Sequence, residues 1–117
     1  MRILVCGGRD YLNYLEFDDA MWKVYKRLGE PELTIIQGGQ TGADFLAKCW
    51  AHMNGFPCIE VRADWKRFGK AAGPIRNKTM LEDYKPDYVV CHRGNRGTAD
   101  MVRQAKELGV EVLRAKR

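Results

Sequence analysis

The residues best suited to chemistry here are not a nucleophile with its base. They are three glycine-rich clusters: Gly7-Gly8-Arg9-Asp10, Gly38-Gly39-Gln40-Thr41-Gly42 and Gly94-Asn95-Arg96-Gly97-Thr98. Glycine lets backbone approach closely and adopt positive φ. Where such a loop runs into a helix, the unpaired N–H groups and the helix dipole favour an anion, above all phosphate. A tight strand-to-helix turn also uses glycine for geometry alone, and three such loops in one small chain strengthen the phosphate reading. None matches a Walker A loop or the full dinucleotide fingerprint, which disfavours an ATPase or an NAD enzyme.

Other side chains fit the same chemistry, each with a plainer alternative. Arg76, Lys78 and Arg96 offer counter-charge, or are solvated cations and structural ion pairs. Asp44 and Asp100 fall in first helical turns, where they accept hydrogen bonds from ribose hydroxyls or simply complement a dipole. Trp65 stacks on a base or covers the sheet edge. His52 reads as a surface residue. His92 ends a strand just before a glycine loop, but a lone histidine gives no acid–base pair.

The elements that must position these residues alternate. Strand-like runs cover 2–6, Leu33 to Gln37, Pro57 to Val61, Tyr88 to Cys91 and Val110 to Leu113. Helical spacing covers 16–28, with Phe17, Ala20, Met21, Val24 and Leu28 on one stripe. It recurs over Ala43 to Met53, with Phe45, Leu46, Cys49 and Trp50 on one face and Asn54-Gly55 closing it. Arg62 to Gly73 reads as a polar loop. Pro74 is placed as the first residue of a helix to about Asp83, and Thr98 as the cap of a helix to about Leu108. Strands that are apolar throughout imply burial on both faces. Their alternation with helices implies a parallel sheet with helices on both sides, and ligands beyond the carboxyl ends of the strands.

The chain has 117 residues, 45% hydrophobic and 30% charged, which fits one soluble α/β domain spanning 1–117. No apolar run is long enough to cross a bilayer, and no signal peptide is expected before the strand at Ile3. Cys6, Cys49, Cys58 and Cys91 form no C-x-x-C pair and sit by apolar segments. They read as buried free thiols in a reducing, cytoplasmic setting, with no metal site. The net charge of +5 favours an anionic partner or reflects a basic tail at Arg114, Lys116 and Arg117.

The motifs together resemble the YspA-like branch of the SLOG superfamily, the group that includes the Lonely-guy phosphoribohydrolases and the DprA/Smf proteins. The stretches that carry the resemblance are Val5-Cys6-Gly7-Gly8-Arg9-Asp10-Tyr11, Gln37-Gly38-Gly39-Gln40-Thr41-Gly42-Ala43-Asp44 and Ala63-Asp64-Trp65. They continue with Ala72-Gly73-Pro74-Ile75-Arg76-Asn77 and Gly94-Asn95-Arg96-Gly97-Thr98-Ala99-Asp100-Met101. The resemblance implies a Rossmann-like three-layer sandwich with a five-stranded parallel sheet of order 3-2-1-4-5. It also implies a nucleotide or nucleotide-derived phosphorylated ligand, no cofactor, and a homodimer or larger homo-oligomer.

The implied ligand set is Gly7, Gly8, Arg9, Gly38, Gly39, Thr41, Gly42, Asp44, Trp65, Arg76, Asn77, Gly94, Asn95, Arg96, Gly97, Thr98 and Asp100. Lonely-guy enzymes carry a motif similar to PGGxGTxxE and an arginine on the preceding helix. Arg76 matches that arginine, and Gly94, Gly97 and Thr98 match the loop. The motif's proline is Arg93 here, its second glycine is Asn95, and its glutamate is Met101. The leading expectation is therefore a binding protein, a sensor or sequestering protein. The alternative is an N-glycoside hydrolase of nucleoside monophosphates, with Arg76 and Asp100 as catalytic residues. A nucleic-acid partner is not expected, since the basic residues are scattered without an aromatic stripe.

Overall fold

Every strand-like run of the sequence enters one sheet. In the computed structural model, which describes residues 1–115, the strands are β1 (Arg2–Cys6), β2 (Thr34–Gln37), β3 (Cys58–Glu60), β4 (Tyr88–Cys91) and β5 (Glu111–Arg114). Their order is β3-β2-β1-β4-β5, and all four pairings are parallel. The helices are α1 (Tyr14–Arg27), α2 (Ala43–Met53), the short α3 (Trp65–Phe68), α4 (Ala72–Asp83) and α5 (Arg96–Glu107). This is the expected Rossmann-like three-layer arrangement. Lys116 and Arg117 of the expected basic tail lie outside the described residues. Among those described, no helix is long and apolar enough to cross a membrane.

The two faces of the sheet feed separate cores because side chains alternate along each strand. Ile3, Val5, Ile35 and Val90 pack under α1 and α2, against Phe17, Met21, Leu46 and Trp50. Leu4, Cys6, Ile36, Val89 and Cys91 pack under α4 and α5, against Met80, Leu81, Met101 and Ala105. The central strands β1, β2 and β4 are buried on both faces as their composition implies. The edge strands β3 and β5 are not. Edge position is why Cys58 is exposed, against the expectation of four buried thiols; Cys49 is half-buried, and all four are free.

Other local expectations need correction. The buried stripe of α2 is Ala43, Leu46, Ala47, Trp50 and Ala51, and Phe45 is 57% exposed. Helix α1 starts at Tyr14, capped by the Asn13 side chain accepting from the Glu16 N–H. The loop from Arg62 contains α3, a 3-10 turn over Gly69–Ala71 and the start of α4 at Ala72, two residues before Pro74. Pro74 still falls in a first turn, whose N–H groups lack intrahelical partners. Helix α5 starts at Arg96 with Asn95 as its cap, so Thr98 lies inside the helix.

Candidate functional site

Strand order reverses between β1 and β4, and the glycine loops meet beyond the carboxyl ends of β1, β2 and β4, where open parallel sheets bind ligands. They interlock by backbone. Gly8 donates its N–H to the Arg93 carbonyl at 2.9 Å, and its own carbonyl accepts from Ala43 at 3.0 Å and Tyr11 at 3.2 Å. The Thr41 hydroxyl donates to the Arg9 carbonyl at 3.1 Å. At Gly42, with φ +76°, a Cβ would run into the Gly8 and Arg9 carbonyl groups. At Gly94 a Cβ would strike the Thr98 hydroxyl. Glycine here first serves the mutual packing of loops.

The loop after β2 is tied from within by side chains. Gln37, 1% exposed, accepts the Gly39 N–H at 2.6 Å and donates to Glu60 at 3.1 Å. Asp44 accepts the Gln40 N–H at 3.2 Å. Burial raises the Asp44 pKa, against the backbone N–H bond and the nearby Arg76 charge. Arg76 donates to the Gly38 carbonyl at 2.6 Å and through Nε to Asn77 Oδ1 at 3.0 Å. Its guanidinium thus ties α4 to the β2 loop as well as supplying charge. Burial lowers its pKa, partly offset by Asp44.

The loop before α5 is different. Asn95 Oδ1 takes the Gly97 N–H at 3.3 Å. The Thr98 hydroxyl, on a residue 7% exposed, has no hydrogen-bond partner. A buried polar group without a partner costs about 1–3 kcal/mol, and this one sits in the first turn of α5, packed against Gly94.

Two cavities flank this turn. One of about 50 Å³ is bounded by Gly7, Arg9, Gln40, Asp44, Arg76, Asn77, Asn95, Gly97 and Thr98, with Cys6, Met80 and Met101 among its apolar lining. The other, about 460 Å³, opens on the β5 side between His92–Asn95, Thr98, Ala99, Val102 and Arg114, with Cys91 at its base. Asn95 and Thr98 line both.

The expected ligand residues therefore divide. Gly7, Arg9, Asp44, Arg76, Asn77, Asn95, Gly97 and Thr98 surround the smaller cavity, and Gly94 borders the larger. Gly8, Gly38 and Gly42 are buried where the loops pack together, Gly39 is half-buried and Thr41 exposed, and none of the five is among the residues around either cavity. Trp65, 42% exposed, carries the Arg9 guanidinium 5.3 Å from its ring centre, a cation–π roof beside the site. Arg96 is exposed at the start of α5.

Asp100 is engaged elsewhere: it accepts from Asn77 at 3.0 Å, Gln104 at 2.8 Å and Arg103 at 2.8 Å. Burial works to raise its pKa, but these donors outweigh it and hold the carboxyl below its ordinary value. The neighbouring position facing the smaller cavity is Met101, 1% exposed. His92 is buried on the other face, its ring 4.4 Å from that of Phe17, and burial brings its pKa down to about 4 against the pull of Glu16. Among the described residues no three His, Cys, Asp or Glu side chains gather as metal ligands would.

Sequence reasoning missed Gln37 and Gln40. The signal for Gln37 was available: a polar residue closing an apolar strand immediately before Gly38-Gly39.

Comparison with known proteins agrees with this architecture. The chain is 30% identical over 118 residues to the Gene 61 protein of Mycobacterium phage D29, a match that covers 96% of this chain and 94% of that protein. The X-ray structure of TM1055, a structural-genomics target, superposes with a TM-score of 0.71 over 95% of this chain and 71% of its own at 20% identity, a likeness of fold. A predicted subunit of tRNA methyltransferase from Methanocaldococcus jannaschii aligns with a TM-score of 0.43 and 19% identity, over 97% of this chain and 67% of that one. The model of the YspA, cpYpsA-related SLOG family matches residues 1–68, which carry the first two glycine loops and Trp65, and with the near full-length phage relative this shows that the chain belongs to that family.

Proposed function

We propose that the protein binds a nucleotide or nucleotide-derived phosphorylated small molecule, seating its phosphate on the first turn of α5, and acts as a sensor or sequestering protein. The observation that carries this reading is the buried, unpartnered Thr98 hydroxyl at a helix N-terminus shared by two cavities. Arg76 and Arg9 border the smaller cavity and Arg93 and Arg114 the larger, with Arg93 paired to Glu16 at 3.3 Å, so basic residues flank both cavities. The larger volume falls in the roughly 300–1,000 Å³ range of small-molecule sites. Binding is favoured over hydrolysis because the carboxylate available, Asp100, is already held by Asn77, Arg103 and Gln104. Met101 lines the cavity in its place.

Mass spectrometry of material released from the purified, heat-denatured protein identifies the ligand. Thr98→Val then separates binding from folding. It removes a contact to a charged group worth about 1.5–3 kcal/mol, so affinity falls at least tenfold, while stability holds or rises because a buried orphan hydroxyl is gone. Unchanged affinity in Thr98→Val, or release of free base from nucleoside monophosphates by the wild type, would overturn the reading.

A further inference from the structure

We propose that Cys91 is a hydroperoxide-reactive thiol and Cys6 its resolving partner, so that the carboxyl ends of β1 and β4 form a reversible disulfide site.

The two residues are in direct register on neighbouring parallel strands. Both belong to the core beneath α4 and α5, so their side chains leave the same face of the sheet. Adjacent strands lie about 4.8 Å apart, within the window of about 4.4–6.8 Å between Cα atoms that a disulfide spans. The two thiols shift each other's acidity, and the Cys91 thiol lies 3.4 Å from the His92 carbonyl. Arg114, at the end of β5, directs Nη1 to Cys91 Sγ at 3.9 Å.

These contacts assign unlike roles. The neighbouring Cys6 thiol and the Arg114 charge favour a thiolate on Cys91 and bring its pKa down to about 7 against burial. The neighbouring Cys91 thiol and burial push the Cys6 pKa well up. A thiolate is the reactive form of cysteine. Both are buried, Cys6 8% and Cys91 4% exposed, but the cavities beside them differ: Cys91 lines the open one of about 460 Å³ and Cys6 the one of about 50 Å³. Cys58 is exposed at the sheet edge, but desolvation raises its pKa.

The chemistry is a two-electron oxidation. Cys91 thiolate attacks the terminal oxygen of a hydroperoxide, the O–O bond breaks, and the leaving oxygen takes a proton and departs as water or an alcohol. Cys91 is left as a sulfenic acid. The Cys6 sulfur then attacks the Cys91 sulfur, the S–S bond forms, the S–O bond breaks, and hydroxide leaves with the Cys6 proton as water. A thiol reductant reverses the bond by exchange. This inference does not rest on the nucleotide reading.

The test uses the full chain, reduced, desalted and exposed to stoichiometric hydrogen peroxide, with remaining thiols alkylated in denaturant and the peptides mapped. Expected are a Cys6–Cys91 linked peptide, its loss on dithiothreitol treatment, and free Cys49 and Cys58. Cys91 should be consumed roughly tenfold or more faster than Cys58. In Cys6→Ser the sulfenic acid persists and is trapped by dimedone on Cys91. In Arg114→Gln the pH midpoint for Cys91 alkylation moves up. Oxidation at Cys49 or Cys58 with Cys91 still alkylatable overturns the proposal in the wild-type chain itself. Oxidation of Cys91 without a bond to Cys6 overturns the resolving role.

Discussion

Asn77 on α4 donates its side-chain N–H to Asp100 on α5, Nδ2 to Oδ2 at 3.0 Å, and also approaches the Gly97 carbonyl at 3.4 Å. One amide thus joins α4 to both the first turn of α5 and the carboxylate behind it. Asp100→Asn sets an amide N–H group against the donors of Asn77, Arg103 and Gln104, and should lower stability by about 1–2 kcal/mol. Chemical denaturation reads that loss, and base release stays undetectable before and after. Met101→Glu does not create a hydrolase. Position 101 is 1% exposed, and an unpaired carboxylate there destabilises the fold by roughly 3 kcal/mol or more.

The glycine seats differ in severity. Gly42→Ala adds a methyl that meets the Gly8 and Arg9 carbonyl groups at a φ of +76°. Gly109→Ala adds one at a similar φ of +75° into open space. The second should cost about 1 kcal/mol of backbone strain, the first at least about 2 kcal/mol beyond that. Paired thermal melts of the two variants check the difference.

His92 gives the stability a pH slope. Its ring titrates near 6.5 when unfolded and near 4 when buried. The unfolded state takes up the proton first, so stability is full above pH 6.5 and falls as pH drops toward 4, by roughly 3 kcal/mol in all. His92→Leu should flatten this window, and the stability gap between variant and wild type should shift steadily in the variant's favour from pH 7 to pH 4 in urea titrations.

The expected self-association has a surface to use. Leu15 is 81% exposed, Phe45 57% and Met53 70%, and the Tyr14 hydroxyl lies 3.5 Å from the Met53 sulfur, joining the ends of α1 and α2. Light scattering at micromolar concentration should give a multiple of the chain mass, and Phe45→Ser with Met53→Ser should return it to one chain.

The parallel sheet and the meeting of the glycine loops were legible because buried strands and their breakers are local signals, whereas the strand order came from the family resemblance. The ends of α2 were legible for the same reason, since Gly42 and Asn54-Gly55 bracket it. Phe45 was misread because its spacing to Cys49 fits a stripe as well as the true one, and only the sheet decides which faces inward. Asn95 and Thr98 are both capping residue types, and chain direction at the loop chose between them. The turns at α3 were hidden in a charged, glycine-containing stretch with no buried residue to give them a period. The tie from Arg76 to Gly38 and the register of Cys6 with Cys91 join residues distant in sequence, and neither has a local signature.

Gly8 is bonded through both its N–H and its carbonyl, to residues of the loops after β4 and β2 and of its own. The junction is therefore mechanically one unit: a backbone shift in one loop must be matched in the other two. Side chains on the rim, such as Arg9, Gln40, Trp65 and Asn95, lie outside this backbone junction. Exchanging them would alter the chemistry of the rim and leave the knot of three loops beneath it intact.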